Sequence, residues 1–259
     1  MSKKAILVVS FGSSYLETRE KTIDVIEKEM AEAFPKFSIY SAYTSKIILK
    51  ILKERDKLNV NSVVEVFEKM YQDGIEEVYV QPTLVLNGIE YNIVVQEIES
   101  FKNRFKKIEF GSPLLTSTED YLAVIDAFLA DAPKLKEREA IVLMGHGSKH
   151  FSNSAYAALD YMFKAGGNHD IHVATVEAFP YLEDITGTLK ANNYDKIFLI
   201  PFMIVAGEHA KKDMASSKDD SWKIILEKMG FEVECILKGL GENSKIRNMF
   251  IEHVGIILK

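Results

Sequence analysis

Two stretches of this chain repeat in order. VVSFGSSY (8–15) aligns with LMGHGSKH (143–150), which sets Gly12 on Gly147 and Ser13 on Ser148 at an offset of 135. VYVQPTLVLNGIEY (78–91) aligns with IFLIPFMIVAGEHA (197–210), which sets Pro82 on Pro201 and Gly88 on Gly207 at an offset of 119. Self-similarity at near-constant spacing marks a structural unit used twice. Each match ends a short apolar run with a glycine-bearing loop. AILVVSF (5–11) and AIVLM (140–144) are continuous apolar runs, as expected of parallel strands buried on both faces.

Further strands are expected at 37–43, 78–86 and 107–115, then at 170–179, 196–204 and 231–237. Between them lie helical patterns. Ile23, Ile26, Met30 and Phe34 share one face of a helix after the first strand. Ser45 and Ser221 are placed to cap helices, and Trp222 is a core residue. A cap near Thr118 has no Glu or Gln at capping-box spacing. Strands alternating with helices argue for parallel sheets joined by right-handed crossovers. The expectation is an α/β protein of two similar lobes, each a parallel sheet flanked by helices, with a cleft between them. The lobes are assigned to residues 1–116 and 117–259, with the terminal helix 243–258 packing across onto the first.

Composition excludes several functions. The net charge of −6 over 259 residues disfavours a nucleic-acid backbone as partner. The single cysteine, Cys235, rules out an internal disulfide and suits a reducing compartment. Residues 5–11 are too few for a signal-peptide core, and no run approaches the ~18 apolar residues of a membrane span. A cytoplasmic location without membrane contact is the expectation. Oligomeric state stays open, a homo-oligomer included.

The repeat also selects candidate residues. Phe11 falls on His146, and Glu90 on His209. All four belong to loops at the carboxyl ends of strands, where open α/β sheets bind ligands. Glu177 follows the apolar stretch HVATV and closes another strand. Each has an ordinary explanation: His146 as a turn residue, His209 as a solvated helix start, Glu177 in an ion pair, Glu90 as a carboxylate at a helix N-terminus. Together, two imidazoles and a carboxylate suit a divalent first-row metal and equally suit proton abstraction. No CxxC or HExxH spacing is present to decide. His150, His169, His172 and His253 lack the support of the repeat and read as surface or loop residues. The turns at 12–14 and 147–149 present backbone N–H groups that suit an anionic ligand. A hydrolase reading of GHGS is weaker, because no G-x-S-x-G elbow occurs, and no Walker motif points to a nucleotide.

LVVSFGSSY, NGIEY, MGHGSKH, VEAFP, PFMIVAGEHAKKDMASSKDDSWK and GLGENSKIRNMF together resemble the anaerobic-pathway sirohydrochlorin cobaltochelatases, class II chelatases of the ferrochelatase-like superfamily. The resemblance runs over nearly the whole chain. Where that family usually has Thr, this chain has Ser13 or Ser14. The resemblance implies insertion of Co2+ into a sirohydrochlorin-type tetrapyrrole with loss of two protons, on the route to cobalamin, without ATP. It implies His146, Glu177 and His209 as the metal site, and His146, His209 and Glu90 as the catalytic groups. No tightly bound cofactor is expected, since Co2+ is a substrate. The macrocycle needs rim donors and apolar walls, for which Ser13, Ser14, Lys149, Leu86 and Met203 are candidates. Two alternatives remain: a chelatase for Fe2+ or Ni2+, and a non-catalytic protein that binds metal or tetrapyrrole.

Overall fold

The apolar runs that open the two repeats, residues 5–9 and 140–144, are buried throughout, because each becomes an inner strand with a neighbour on either side. The computed structural model describes residues 3–259. The first elements in chain order are β1 (Lys4–Ser10), α1 (Leu16–Lys21), α2 (Ile23–Ala33), β2 (Ser38–Tyr43), α3 (Lys46–Arg55), α4 (Val63–Gln72), β3 (Glu77–Pro82), α5 (Ile89–Glu99) and β4 (Lys107–Phe110). There follow α6 (Thr118–Asp131), β5 (Glu139–Gly145), α7 (Ser154–Ala165), β6 (Ile171–Thr175), α8 (Leu182–Ala191), β7 (Lys196–Pro201), α9 (Trp222–Lys228), β8 (Glu232–Cys235) and α10 (Ser244–Ile257).

The chain divides into two compact units. One comprises the residues up to Asp120 together with Ser244–Lys259, the other Tyr121–Asn243. The division therefore falls inside α6, and α10 is grouped with the first unit. There α10 packs on β3 and α2, burying Ile246, Met249, Phe250, His253 and Val254.

Each unit holds one four-stranded sheet, in order β2-β1-β3-β4 in the first and β6-β5-β7-β8 in the second. All pairs are parallel. The register repeats with the order: Val9 pairs with Pro82, and Met144 with Pro201. These are the offsets of 135 and 119 seen in the sequence. Leu7, Val9, Phe67, Val80 and Ile98 are among the buried core of the first unit. Val142, Met144, Leu199, Trp222 and Leu226 serve the same purpose in the second.

Several expectations change on inspection. The helix after β1 is two helices, broken at Thr22, whose backbone (φ −126°, ψ −82°) leaves the helical region. The edge strands β4 and β8 stop after four residues, short of the expected ends at 115 and 237. The start of α6 is capped after all. The Ser117 hydroxyl accepts from the Asp120 N–H at 3.1 Å, and the Asp120 carboxylate accepts from the Ser117 N–H at 2.8 Å. Asp replaces the longer Glu in this reciprocal cap.

Two histidines expected at the surface are buried. His172 lies within β6 with only 2 % of its surface exposed, and burial lowers its pKa from 6.5 to about 4. The His253 ring bridges the Ser112 carbonyl at 2.8 Å and the Asp120 carboxylate at 2.9 Å, tying α10 to the start of α6. Periodicity marks a buried face but does not say which polar side chain finds partners there.

Candidate metal centre

His146 stands between two glycines for steric reasons. A Cβ on Gly145 would lie 2.4 Å from the Tyr156 ring. Gly147 has φ +84°, and a Cβ there would meet Thr175 Oγ1 at 2.7 Å and the Ala178 nitrogen at 2.8 Å. Any side chain but hydrogen at either position would push the loop off its support. The fully buried Tyr156 also receives the backbone N–H groups of His146 and Gly147 at its hydroxyl oxygen. The loop is thus held tightly while its one functional side chain stays 40 % exposed.

Glu177 is placed by the neighbouring strand. Pairing runs past the end of the sheet, with the Val176 N–H donating to the Gly145 carbonyl at 3.1 Å and the Glu177 N–H to the His146 carbonyl at 2.9 Å. The strand expected to continue to residue 179 ends at Thr175. There the chain folds back, with the Thr175 hydroxyl donating to the Ala178 carbonyl and its N–H to the Pro180 carbonyl at 2.7 Å. Glu177 consequently sits in a loop, with its side chain 54 % exposed.

His209 arrives from β7. The Phe202 N–H still donates to the Met144 carbonyl at 2.8 Å, and the chain then reaches a π-helical turn, Ala210–Met214, with His209 at its N-cap. π-turns are rare and frequently accompany functional sites. The segment leading into the turn is held at Ile204 by the C-terminal GLG motif. A Cβ on Gly239 would lie 2.5 Å from the Ile204 carbonyl, and the Gly241 N–H donates to that same oxygen at 2.9 Å.

These three loops bring together His146, Glu177 and His209, with one donor atom of each within 4.8 Å of the others. Glu177 Oε2 is 3.9 Å from His146 Nδ1, and Oε1 is 4.0 Å from His209 Nε2. The two imidazoles meet edge to face, with ring centroids 4.7 Å apart at 87°. His146 Nδ1 lies 2.9 Å from the Gly147 carbonyl oxygen. When Nδ1–H donates there, Nε2 keeps the lone pair. The partial exposure of all three side chains lets an ion enter and leave.

The other candidates are not members of this cluster. Glu90 is in the first turn of α5, in the first unit. Ser13 is buried, and its hydroxyl accepts the Tyr15 N–H at 3.1 Å and contacts Thr18 Oγ1 at 3.3 Å. The hydroxyl is thus engaged within its own turn. Ser14 is half-buried, and its carbonyl accepts from Arg55. Leu86 bridges to Leu115. In the second unit Lys149 is exposed, and Met203 packs against the core. Sequence reasoning missed Tyr156, which carries no motif. It also passed over Asp213 as a solvated neighbour, although its position four residues after His209 was the available signal. Among the described residues, no helix is long and apolar enough to cross a membrane.

The chain and its fold have known counterparts. A family model described as cobalt chelatase (CbiK) matches residues 4–258. A sirohydrochlorin cobaltochelatase of Salmonella typhimurium is 37 % identical over 252 residues, covering 97 % of this chain and 95 % of its own. The sirohydrochlorin cobaltochelatase CbiKC of Nitratidesulfovibrio vulgaris is 31 % identical over 257 residues, covering 98 % and 90 %. Among solved structures, SirB from Bacillus subtilis with Fe3+ superposes with a TM-score of 0.67 at 15 % identity, covering 98 % of this chain and 94 % of its own. CbiX, described as the terminal enzyme of siroheme biosynthesis in denitrifying bacteria, gives 0.56 at 14 % identity, covering 98 % and 100 %. At those identities the two structures speak to the fold alone.

Proposed function

The chain belongs to the cobalt chelatase family, and we propose from this premise that it inserts Co2+ into a sirohydrochlorin-type tetrapyrrole, releasing two protons, on the route to cobalamin. The observation that carries this reading is the convergence of His146, Glu177 and His209 on three strand-end loops. Two nitrogens and a carboxylate hold a first-row divalent ion while leaving coordination positions open for water and then for the ring nitrogens. A chelatase must give its metal up. The donor set contains no thiolate; Cys235 lies on β8, and burial pushes its thiol pKa up.

The same atoms serve both halves of the exchange. As an imidazole nitrogen releases Co2+ to a pyrrole nitrogen, its lone pair becomes free to take the proton that nitrogen loses. The two histidines match the two protons released, and no nucleotide enters the balance. Glu90 is assigned to proton removal because it is the repeat counterpart of His209. Ser13, Ser14, Lys149, Leu86 and Met203 are assigned to the macrocycle, Lys149 by charge and Leu86 and Met203 by apolar contact. The setting is a soluble cytoplasmic one, with the metal and the tetrapyrrole as partners.

The test follows the tetrapyrrole absorbance on mixing the protein anaerobically with sirohydrochlorin and excess Co2+, beside H146A, H209A and E90Q. Multiple turnovers by the native chain, lost in both histidine variants and slowed in E90Q, are the expected result. Full activity in either histidine variant removes that residue from the mechanism. Parallel runs with Fe2+ and Ni2+ decide the metal, and faster insertion of either would reassign it.

A further inference from the structure

We infer that Asp213 is a positioning residue that presents His209 to the metal through one chosen ring nitrogen. The inference rests on the proposed metal site and deepens it. Asp213 Oδ2 lies 2.6 Å from His209 Nδ1. A carboxylate accepts hydrogen bonds and does not donate them, so this contact places the imidazole proton on Nδ1. The lone pair is left on Nε2, and Nε2 is the nitrogen that faces Glu177 at 4.0 Å. Asp213 thus selects the tautomer and holds the ring against rotation, the part that outer carboxylates play behind metal-binding histidines generally.

The backbone explains how Asp213 reaches this position. The segment Ala210–Met214 is wound as a π-turn, with the Ala215 N–H donating five residues back to the Ala210 carbonyl at 3.2 Å. More residues per turn bring position i+4 more nearly over position i than an α-helix does. The carboxylate therefore reaches the edge of the ring at Nδ1. His146 is held differently: its Nδ1 lies 2.9 Å from the Gly147 carbonyl and is also the nitrogen 3.9 Å from Glu177. Asp213 has 45 % of its side chain exposed, so removing it leaves no hole in the core.

The experiment titrates Co2+ alone onto the tetrapyrrole-free protein, anaerobically, by its visible d–d absorbance. The native chain, D213A, H209A and the double variant are compared. We expect D213A to raise the Kd for Co2+ about 10-fold or more and to add nothing in the H209A background, because the carboxylate acts through that ring. Ring-nitrogen NMR should show His209 as the Nδ1–H tautomer in the native chain and a mixture in D213A. An unchanged Kd in D213A overturns the inference, as does an equal loss with and without His209. Asp213→Leu, which keeps comparable bulk but offers no acceptor, covers the case in which the alanine variant fails to fold; a rise in Kd of the same order is expected there, and no rise overturns the inference. If H209A itself binds Co2+ like the native chain, the proposed metal site fails and this inference falls with it. Normal loss in H209A with none in D213A sinks the positioning role alone.

Discussion

The two units have the same sheet order and the same register, yet among the described residues one carries a cluster of metal donors and the other does not. Three equivalent positions account for the contrast. His146 corresponds to Phe11 and His209 to Glu90 through the repeat. Glu177 corresponds to Ser45, since each donates its N–H to the residue just past the inner strand, Glu177 to His146 at 2.9 Å and Ser45 to Phe11 at 3.2 Å. In the first unit these positions hold a part-exposed aromatic, a helix cap that accepts the Ile48 N–H, and a first-turn carboxylate. The glycines beneath them are retained. Gly12 has φ +99° and Gly147 has φ +84°, and each loop lies against a neighbour that tolerates no Cβ. The strand-end loop is therefore scaffold, and the chemistry lies in the side chains placed on it.

The strongest test of that contrast exchanges nothing but the donors. H146A or H209A should lower the rate of Co2+ insertion by about 100-fold or more, with thermal unfolding close to native, whereas F11A should leave Co2+ binding intact. Comparable loss of Co2+ binding in F11A would show that the first unit also holds metal.

Stability against pH should separate the units next. Position 172 corresponds to Tyr40, as Val142 pairs with His172 where Leu7 pairs with Tyr40. Burial keeps His172 neutral by lowering its pKa from 6.5 to about 4. Its contribution is present above pH 6.5 and is lost as pH falls towards 4. In the first unit burial, reinforced by Asp24, raises the Glu27 pKa from 4.5 to about 7. That contribution is present below pH 4.5 and is lost as pH rises through 7. The two oppose each other between pH 4.5 and 6.5, each by about 3 kcal/mol. Urea midpoints across this range should rise with pH in E27Q and fall with pH in H172Q. Parallel slopes in the two variants would contradict the assignment.

Smaller effects come from the loops. G12A and G147A should each lose about 1–3 kcal/mol for an L-residue held at positive φ. Only G147A should also weaken Co2+ binding, which calorimetry with the metal alone would detect. The smallest expected effect is at the helix cap: S45A should cost about 1 kcal/mol in urea unfolding and leave the Kd for Co2+ unchanged.

Much of this was legible in the sequence because sheets impose strong patterns. The inner strands β1, β5 and β7 carry continuous apolar runs and β3 is interrupted by Gln81, and the offsets between repeats equal the offsets between equivalent strands of the two sheets. Ser45, Ser221 and Trp222 occupy the roles their neighbours predicted: the Ser221 hydroxyl accepts the Ile224 N–H, and Trp222 is buried. The polar residues were harder. His172 and His253 looked external until their burial was visible. A polar side chain has no periodic signature. Whether it faces solvent, a partner or a ligand depends on atoms distant in the chain.

The sequence by itself determined the α/β class, the duplicated unit, and the short list from which any metal site would be drawn, because apolar periodicity and repeat spacing are local and additive along the chain. Only the tertiary structure decided that His146, Glu177 and His209 converge within 4.8 Å, and that Asp213 stands behind one of them. Those distances come from three separate loops, set side by side by parallel pairing between strands far apart in sequence, and spacing along the chain does not encode that convergence.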